Sequence, residues 1–584
     1  MRIQFKLSSR SEPGYALMLT LVFVSVSLVV LAGIGRWSLG SSAITARNNS
    51  FNSSVAAAEA ATEVVLGQMN RDFLRQSLAS NPDVYNSVLP GTIVPNDWPS
   101  SYQFSDGHGN PDRTDVLCTG WQQWTNVDSG SGGLYGMINT YQITSNARQL
   151  AGLYPVAAGV RQNVQFTAVP LYQFAIFYSM DLEIQPAPPM VVTGKTYSNG
   201  DIYIAPGNSL EFVDTVSAAG HVYNHRSTND PSSANITVPV FDKGYVNQAP
   251  SLTLPVGIDN NPTNVVQILD PPPAGEDPAS LLGRQRFYNK CDLVITTTNN
   301  QVTVQYNDYA DGTTYELVPT NNIDTGYSFI KTNASFYDYR EGRQVLATEI
   351  DVQALTSWMA GSRGLPVNLL VQSRTGHPIN SIYVNDQRSI PGKLTAVRVT
   401  NGQTLPAGGL TVATPLPLYV KGNYNAPDLT VGSTNTTQTA PASLVGDAIT
   451  ILSPNWKDNN GASSAALSAR TAANTTVNAA LLSGIVPSVT VNGQAHYSGG
   501  VENFTRFLEN WNGSALTYNG SMVVMFPSRY ATHYWIAPGT YYNPPTRDWA
   551  FDQNFMNPDK LPPVTPQART LQRTAWSTVA AANN

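Results

Sequence analysis

The sequence predicts an α+β protein, mainly β, with a long N-terminal helix followed by a β-rich body that contains parallel β-solenoid segments. Three observations carry that expectation. The stretch from Tyr15 to Gly35 holds no charged residue. Apolar residues then continue at helical spacing well beyond it. From about residue 81 the chain divides into short strand-like runs separated by Gly, Asn and Pro.

Bulk composition agrees with a β-rich body. Only 12% of the 584 residues are charged, against about 25% in ordinary soluble domains. Hydrophobic content is an ordinary 42%, so neutral polar residues replace the missing charge. The 28 Tyr, 18 Phe and 10 Trp need a core to pack in, which argues against disorder. A net charge of −6 and a pI of about 5.6 give no basic footprint for nucleic acid.

The first element is "EPGYALMLTLVFVSVSLVVLAGIGRW", residues 12–37. Its uncharged run matches the roughly 20 residues that span a bilayer and exceeds a secretory h-region. Arg2, Lys6 and Arg10 precede it, so the N-terminus should stay inside and the body should cross outward in a single pass. The helical pattern continues past the membrane. Ile44, Phe51, Val55, Ala58, Thr62, Leu66, Met69 and Phe73 form one stripe, with Arg47, Asn48, Glu59, Glu63 and Arg71 on the other face. One helix from about 16 to 77 is expected, half in lipid and half against a globular body.

A short basic leader ending in Gly14, directly before this helix, resembles a type IV pilin N-terminus. The resemblance implies prepilin peptidase cleavage after Gly14 and methylation of Tyr15 as the mature first residue. The family's glutamate five residues into the mature chain falls at Leu19, where it is missing. A free ammonium in an apolar bundle is costly unless paired. A subunit with Leu19 offers no carboxylate to the ammonium of a subunit already in place. It is therefore expected first in line, at a filament tip. Tip-type minor pilins and pseudopilins share this deviation, and the wording is similar to PilX-like proteins.

Later blocks, among them "TGKTYSNGDIYI", "PLYVKGNYN", "GDAITILSPNW" and "GGVENFTRFLENW", resemble large PilX-like proteins and hormogonium polysaccharide proteins of the HpsA type. The implied organisation is a leader at 1–14 and a pilin-like helix at 15–80, transmembrane at about 15–35. A pilin-like β region at 81–170 follows. A solenoid body with inserted hairpins occupies 171–460, and C-terminal helices with a Pro/aromatic arm occupy 461–584. Implied partners are other pilins or pseudopilins, the inner-membrane assembly platform, prepilin peptidase and surface glycans. The expected location is the inner membrane before assembly and the pilus or cell surface afterwards.

Within the body, "TYQITS" and "NVQFTAV" alternate as antiparallel strands. "GKTYSNGDIYI" and "AAGHVYN" read as successive solenoid rungs, as do the runs at 418–425 and 446–453; a sandwich with long hairpins is the alternative. "LVITTTNNQVTVQY" predicts a hairpin turning at Asn299–Asn300. Helices are expected at 463–484, stopped by Gly484, and at 500–511, with Phe504, Phe507, Leu508 and Trp511 on one face. The tail is expected to wrap the body as an extended arm.

Chemistry-bearing motifs are sparse. No G-x-S-x-G elbow or phosphate-binding loop occurs, and no catalytic role is expected. Glu502 and Glu509 read as solvated or capping glutamates. "DGHGNPD" places Asp106, His108, Asn110 and Asp112 at alternate positions, either a weak calcium loop or a polar turn. No other cofactor is expected. "DYADG" at 308–312 is a weaker case. His221 and His225 read as surface or corner histidines. Cys118 and Cys291 form one disulfide closing a long loop or remain two separate buried thiols. Trp121, Trp124, Trp511, Trp535 and Trp549 are candidates for glycan stacking, with core packing as the alternative. Asn512 and Asn519 head chance sequons.

Overall fold

The structure, a computed structural model, describes residues 13–75, 78–92, 101–127, 134–151, 154–308, 313–317, 327–360, 367–461 and 464–581. The basic leader residues Arg2, Lys6 and Arg10 lie outside them, as do residues 309–312 of the "DYADG" run.

Helix α1 (Pro13–Leu74) is continuous over 62 residues, about 93 Å at 1.5 Å per residue. Its first half is exposed along its length, and its second half is packed. The packed stripe starts at Ser54, whose Oγ donates to the Val156 carbonyl at 2.6 Å. It runs through Ala57, Ala58, Ala61, Val65, Leu66, Met69 and Phe73, all buried. Ile44 and Phe51 remain 63% and 42% exposed, so they belong with the unpacked half and not with the stripe. The alanines let backbone approach closely before the larger side chains take over.

The stripe covers an antiparallel sheet. Strands β1 (Tyr102–Ser105), β2 (Asp115–Asn126), β3 (Tyr135–Gln149) and β4 (Ala157–Pro170) pair as hairpins around β3. Phe73 meets Phe166 at 5.2 Å between ring centroids, and Tyr141 meets Phe166 edge-on at 6.0 Å. The outermost strand on the β4 side is the C-terminal segment Gln567–Val579. The tail is therefore not only an arm: after wrapping the body it completes this first sheet. It also clamps α1. Arg569 donates to the Phe73 carbonyl and lies over the Phe73 ring at 4.9 Å, a cation on the helix C-terminus. Arg573 reaches Glu63 at 2.6 Å.

The rest of the body is a parallel solenoid, as expected over the sandwich alternative, built from two coils. The first spans residues 176–246. Ile176 pairs with Thr196 and Thr196 with Val216, one rung every 20 residues. Its other two faces repeat in the same register, Leu182 on Ile202 on Val222 and Met190 on Leu210. Inward positions stack like on like, as where Phe212 and Phe241 lie 5.3 Å apart at 7°. At one corner Asp181 Oδ1 accepts from the Asp201 N–H (2.9 Å), and Asp201 Oδ1 accepts from the His221 N–H (2.8 Å). Gly200 and Gly220 leave room for that ladder: a Cβ there would lie 2.3 and 2.1 Å from the aspartate oxygens.

The second coil spans residues 293–527. Its strands Leu293–Thr297, Ser381–Asp386, Leu410–Ala413, Ala442–Gly446, Thr475–Ile485 and Ala515–Pro527 run parallel in sequence order. A second face stacks Arg343–Asp351, Lys393–Thr400, Leu418–Lys421, Ile449–Leu452 and Arg506–Phe507. The last strand then pairs in parallel with the first strand of the first coil, Met522 on Ile176. The chain thus enters the solenoid in the middle and climbs to one end. It then crosses back through residues 247–292 and climbs to the seam.

Two expected helices are strands or turns instead. Thr475–Ile485 is a strand buried throughout except at Ile485, with Gly484 inside it. Its alanines fit because neighbouring backbone is close: a Cβ on Gly520 would lie 2.0 Å from the Ala479 carbonyl oxygen. Residues 500–511 form a short 3₁₀ turn and the strand Arg506–Phe507. Local alanine propensity yields to parallel pairing on both sides. The expected hairpin at 293–306 is present, with Thr297 opposite Val302. Its first strand is itself a solenoid strand, and its second caps the coil.

Candidate functional site

Two places concentrate features that packing alone does not use. The first is the upper half of α1. Among the described residues one helix is long and apolar enough to cross a membrane, and this is it. From Tyr15 (74% exposed) to Ile44 it presents leucine, valine, phenylalanine and methionine outward, while Thr20 and Ser25 return their hydroxyls to helix carbonyls. Every backbone group between the ends is bonded within the helix, as a lipid or helix-bundle environment demands. Gly14 and Tyr15 lie in the first turns described, and Leu19 is 54% exposed on the same surface.

The second is the seam between the coils. A cleft of about 490 Å³ opens there, lined among others by Glu183, Ser227, Arg340, Ser488, Ser498 and Asn503. The third rung of the first coil carries extra residues between Tyr223 and Val240, and this loop covers the cleft. Arg226 donates to Gln185 and pairs with Asp230 at 3.1 Å, and Asn229 bonds the Ser488 carbonyl and the Thr490 hydroxyl. Glu183 Oε2 accepts from the hydroxyls of Ser488 and Ser498, both at 2.6 Å. Burial pushes the Glu183 carboxyl up, and these hydroxyls offset part of that rise.

Glu502 and Glu509 are not solvated. Glu502 is 6% exposed and faces the Gln185 N–H; Glu509 is 1% exposed and accepts from the N–H and hydroxyl of Ser453 at 2.6 and 2.7 Å. Burial raises both carboxyls to about 7.

The other sequence candidates separate. Asp106 spends its carboxylate on its own loop: Oδ1 accepts from the N–H of His108 and Asn110, and Oδ2 from the Asn110 amide at 2.7 Å. Burial raises its pKa, but these bonds outweigh that and hold it below the usual range. Asp112 sits at φ 57°, and His108 lies 3.6 Å from Asp115. Among the described residues no group of three His, Cys, Asp or Glu is arranged around a common metal position. Cys118 is half-buried beside the α1 cluster, Cys291 is buried in the solenoid core, and both are free thiols. Trp511 is fully buried and Trp124 bonds the Met556 carbonyl, so neither is a free stacking platform. Asn519 is buried in an amide ladder, donating to Asn478 Oδ1 at 2.7 Å.

Sequence reasoning missed an outward ladder, Glu183 beside Tyr203 beside Tyr223. The two rings stack at 5.5 Å, and His221 and His225 flank Tyr223, as surface histidines should. The 20-residue spacing of Tyr203 and Tyr223 was the available signal.

No family model matches the chain, and no curated protein matches it. Among solved structures, the competence-associated pilin ComZ from Thermus thermophilus aligns over 90% of this chain and 97% of its own. The identity is 11% and the TM-score 0.28, a likeness too slight to carry an argument.

Proposed function

We propose that this chain is a minor-pilin-like structural subunit that sits at the end of a type IV pilus-type filament and presents the solenoid outward. The observation that supports it is the division of α1. One unbroken helix is uncharged from Tyr15 to Gly35, unpacked as far as Ile44, and locked onto an antiparallel sheet from Ser54 to Phe73. A plain anchor needs about 20 residues; this unpacked half is longer and continues rigidly into the body.

In this reading prepilin peptidase cuts between Gly14 and Tyr15. The subunit waits in the inner membrane as a single-pass protein and then joins other pilins through the exposed half of α1. Leu19 supplies no carboxylate for a neighbour's terminal ammonium, so the first position is the one it fills without an unpaired charge. The role is structural, without a catalytic step.

Mass spectrometry of the mature chain tests this directly. The expected N-terminal peptide begins at N-methylated Tyr15; an intact Met1, or cleavage after Ala32, would overturn the reading. Leu19→Glu should move the subunit from filament ends into the shaft, visible by immunogold labelling.

A further inference from the structure

Arg340 lines the seam cleft and is 5% exposed. Among the described residues its guanidinium forms no ion pair, and its one side-chain hydrogen bond runs from Nε to the His533 carbonyl at 3.3 Å. The nearby carboxylates are engaged elsewhere. Glu341 is held by Arg506 at 2.8 Å and by the N–H groups of Thr532 and His533. Asp338 accepts from the Tyr419 hydroxyl at 2.6 Å and from the N–H groups of Arg340 and Glu341. Burial and the neighbouring Arg506 lower Arg340 to about 10, so it stays charged at neutral pH. A buried cation that faces a cavity without its own counter-ion is costly and is a natural recognition group for an anion.

Two other clefts do not share this feature. In those of about 700 and 570 Å³ Arg398 pairs with Glu349 and Asp458, Arg388 with Asp386 and Arg529 with Asp270, while Arg343 is exposed to solvent.

The surroundings of Arg340 narrow the anion. Glu183 and Asp181 also line the cleft, so a dianion such as phosphate meets repulsion. Serine hydroxyls and a carboxylate acceptor suit a ligand rich in hydroxyl groups. A volume of about 490 Å³ is in the usual range for small-molecule sites. The row Glu183–Tyr203–Tyr223 leads from the cleft up the face of the first coil, and its half-buried rings offer apolar surface to a chain that continues beyond the cleft.

We propose that the seam cleft binds an acidic saccharide, with the carboxylate of one uronic acid unit on Arg340, its hydroxyls on Glu183 and the cleft serines, and adjoining sugars along Tyr203 and Tyr223. This proposal does not depend on filament assembly.

The test uses full-length protein in detergent micelles, with calorimetry and ligand-observed NMR. Probes are glucuronate, glucose, inorganic phosphate and a tetramer of galacturonate. Glucuronate should bind at least tenfold more tightly than glucose or phosphate, and the tetramer more tightly still. Arg340→Gln should lose at least tenfold for both acidic probes at an unchanged melting temperature. Should that variant unfold, Arg340→Lys, which keeps the charge but loses the fork, should weaken glucuronate several-fold. Tyr203→Ala should weaken the tetramer threefold or more and leave glucuronate unchanged. No binding by either acidic probe, equal binding of glucose, tighter binding of phosphate, or unchanged binding in the Arg340 variants would each overturn the assignment.

Discussion

Residues 176–246 and residues 293–527 build one parallel sheet, yet they reach it by different rules. In the first coil the first two steps take 20 residues each, with Asp and Gly at one fixed corner, and only the last, from Val216 to Tyr245, is lengthened by a loop. In the second coil successive strands begin at Ser381, Leu410, Ala442, Thr475 and Ala515, with long irregular connections between them. The regular coil distributes its stability over many equivalent, half-exposed corners. The irregular coil concentrates it in a few buried polar groups and close backbone contacts. Asp447 is the clearest of these: fully buried, it accepts from the N–H groups of Arg529, Tyr530 and Ala531 at 2.5, 3.0 and 2.9 Å.

The contrast predicts a graded series of substitutions. The largest effect is expected from Gly520→Val in the irregular coil. Its side chain would strike the Ala479 carbonyl, which is backbone and cannot rotate away, so a loss of more than about 4 kcal/mol is expected. Guanidinium unfolding followed by tryptophan fluorescence should show it, or no folded protein should be recovered. Asp447→Ala comes next, because it orphans three backbone donors, that of Ala531 buried; about 2–4 kcal/mol is expected.

A pH scan probes the same coil. The folded Glu509 carboxyl titrates at about 7 against an ordinary 4.5, so between those values the folded chain holds a proton that the unfolded chain has released. Its contribution to stability is therefore present at and below about pH 4.5 and is lost as pH rises through 7. Relative to wild type, Glu509→Gln should flatten the fall in melting temperature between pH 5 and 8. A change of slope outside that window would point to another group.

The smallest effect is expected in the regular coil. Asp201→Ala removes one acceptor from the His221 N–H. That amide belongs to an exposed corner where water replaces the lost partner, so about 1 kcal/mol or less is expected. A cost equal to that of Asp447→Ala would break the distinction between the coils.

Legibility in the sequence followed the same division. The rungs within 174–225 could be read because corner residues recur at short range, and the hairpin at 293–306 because its strands are adjacent. The strand Thr475–Ile485 could not be read. Its "AALSARTAANTTVNAALL" context has helical propensity, and only the tight fit between Leu444 and Met522 neighbours at Leu481 selects a strand. At the candidate site, the proposal for Gly14, Tyr15 and Leu19 rests on local spacing alone and uses no long-range contact. Arg340 was not legible, because its meaning comes from its place at the cleft and its lack of an ion pair among the described residues, both settled by distant segments. The burial of Glu502 and Glu509 was hidden for the same reason.

The sequence by itself determined the length and polarity of α1, the start of its apolar run, the β-rich character of the body and the repeating rungs. All of these follow from periodicities of 3.6 and 2 and from corner chemistry acting over a few residues. Tertiary structure alone decided three things. The solenoid is entered in its middle, with residue 522 beside residue 176. The C-terminal strand returns to clamp α1 through Arg569 and Arg573. The coils meet at a cleft lined by the buried Arg340 guanidinium, which has no ion pair among the described residues. Each depends on contacts between segments hundreds of residues apart, whose free energy comes from excluded water and satisfied backbone groups and leaves no local pattern in the chain.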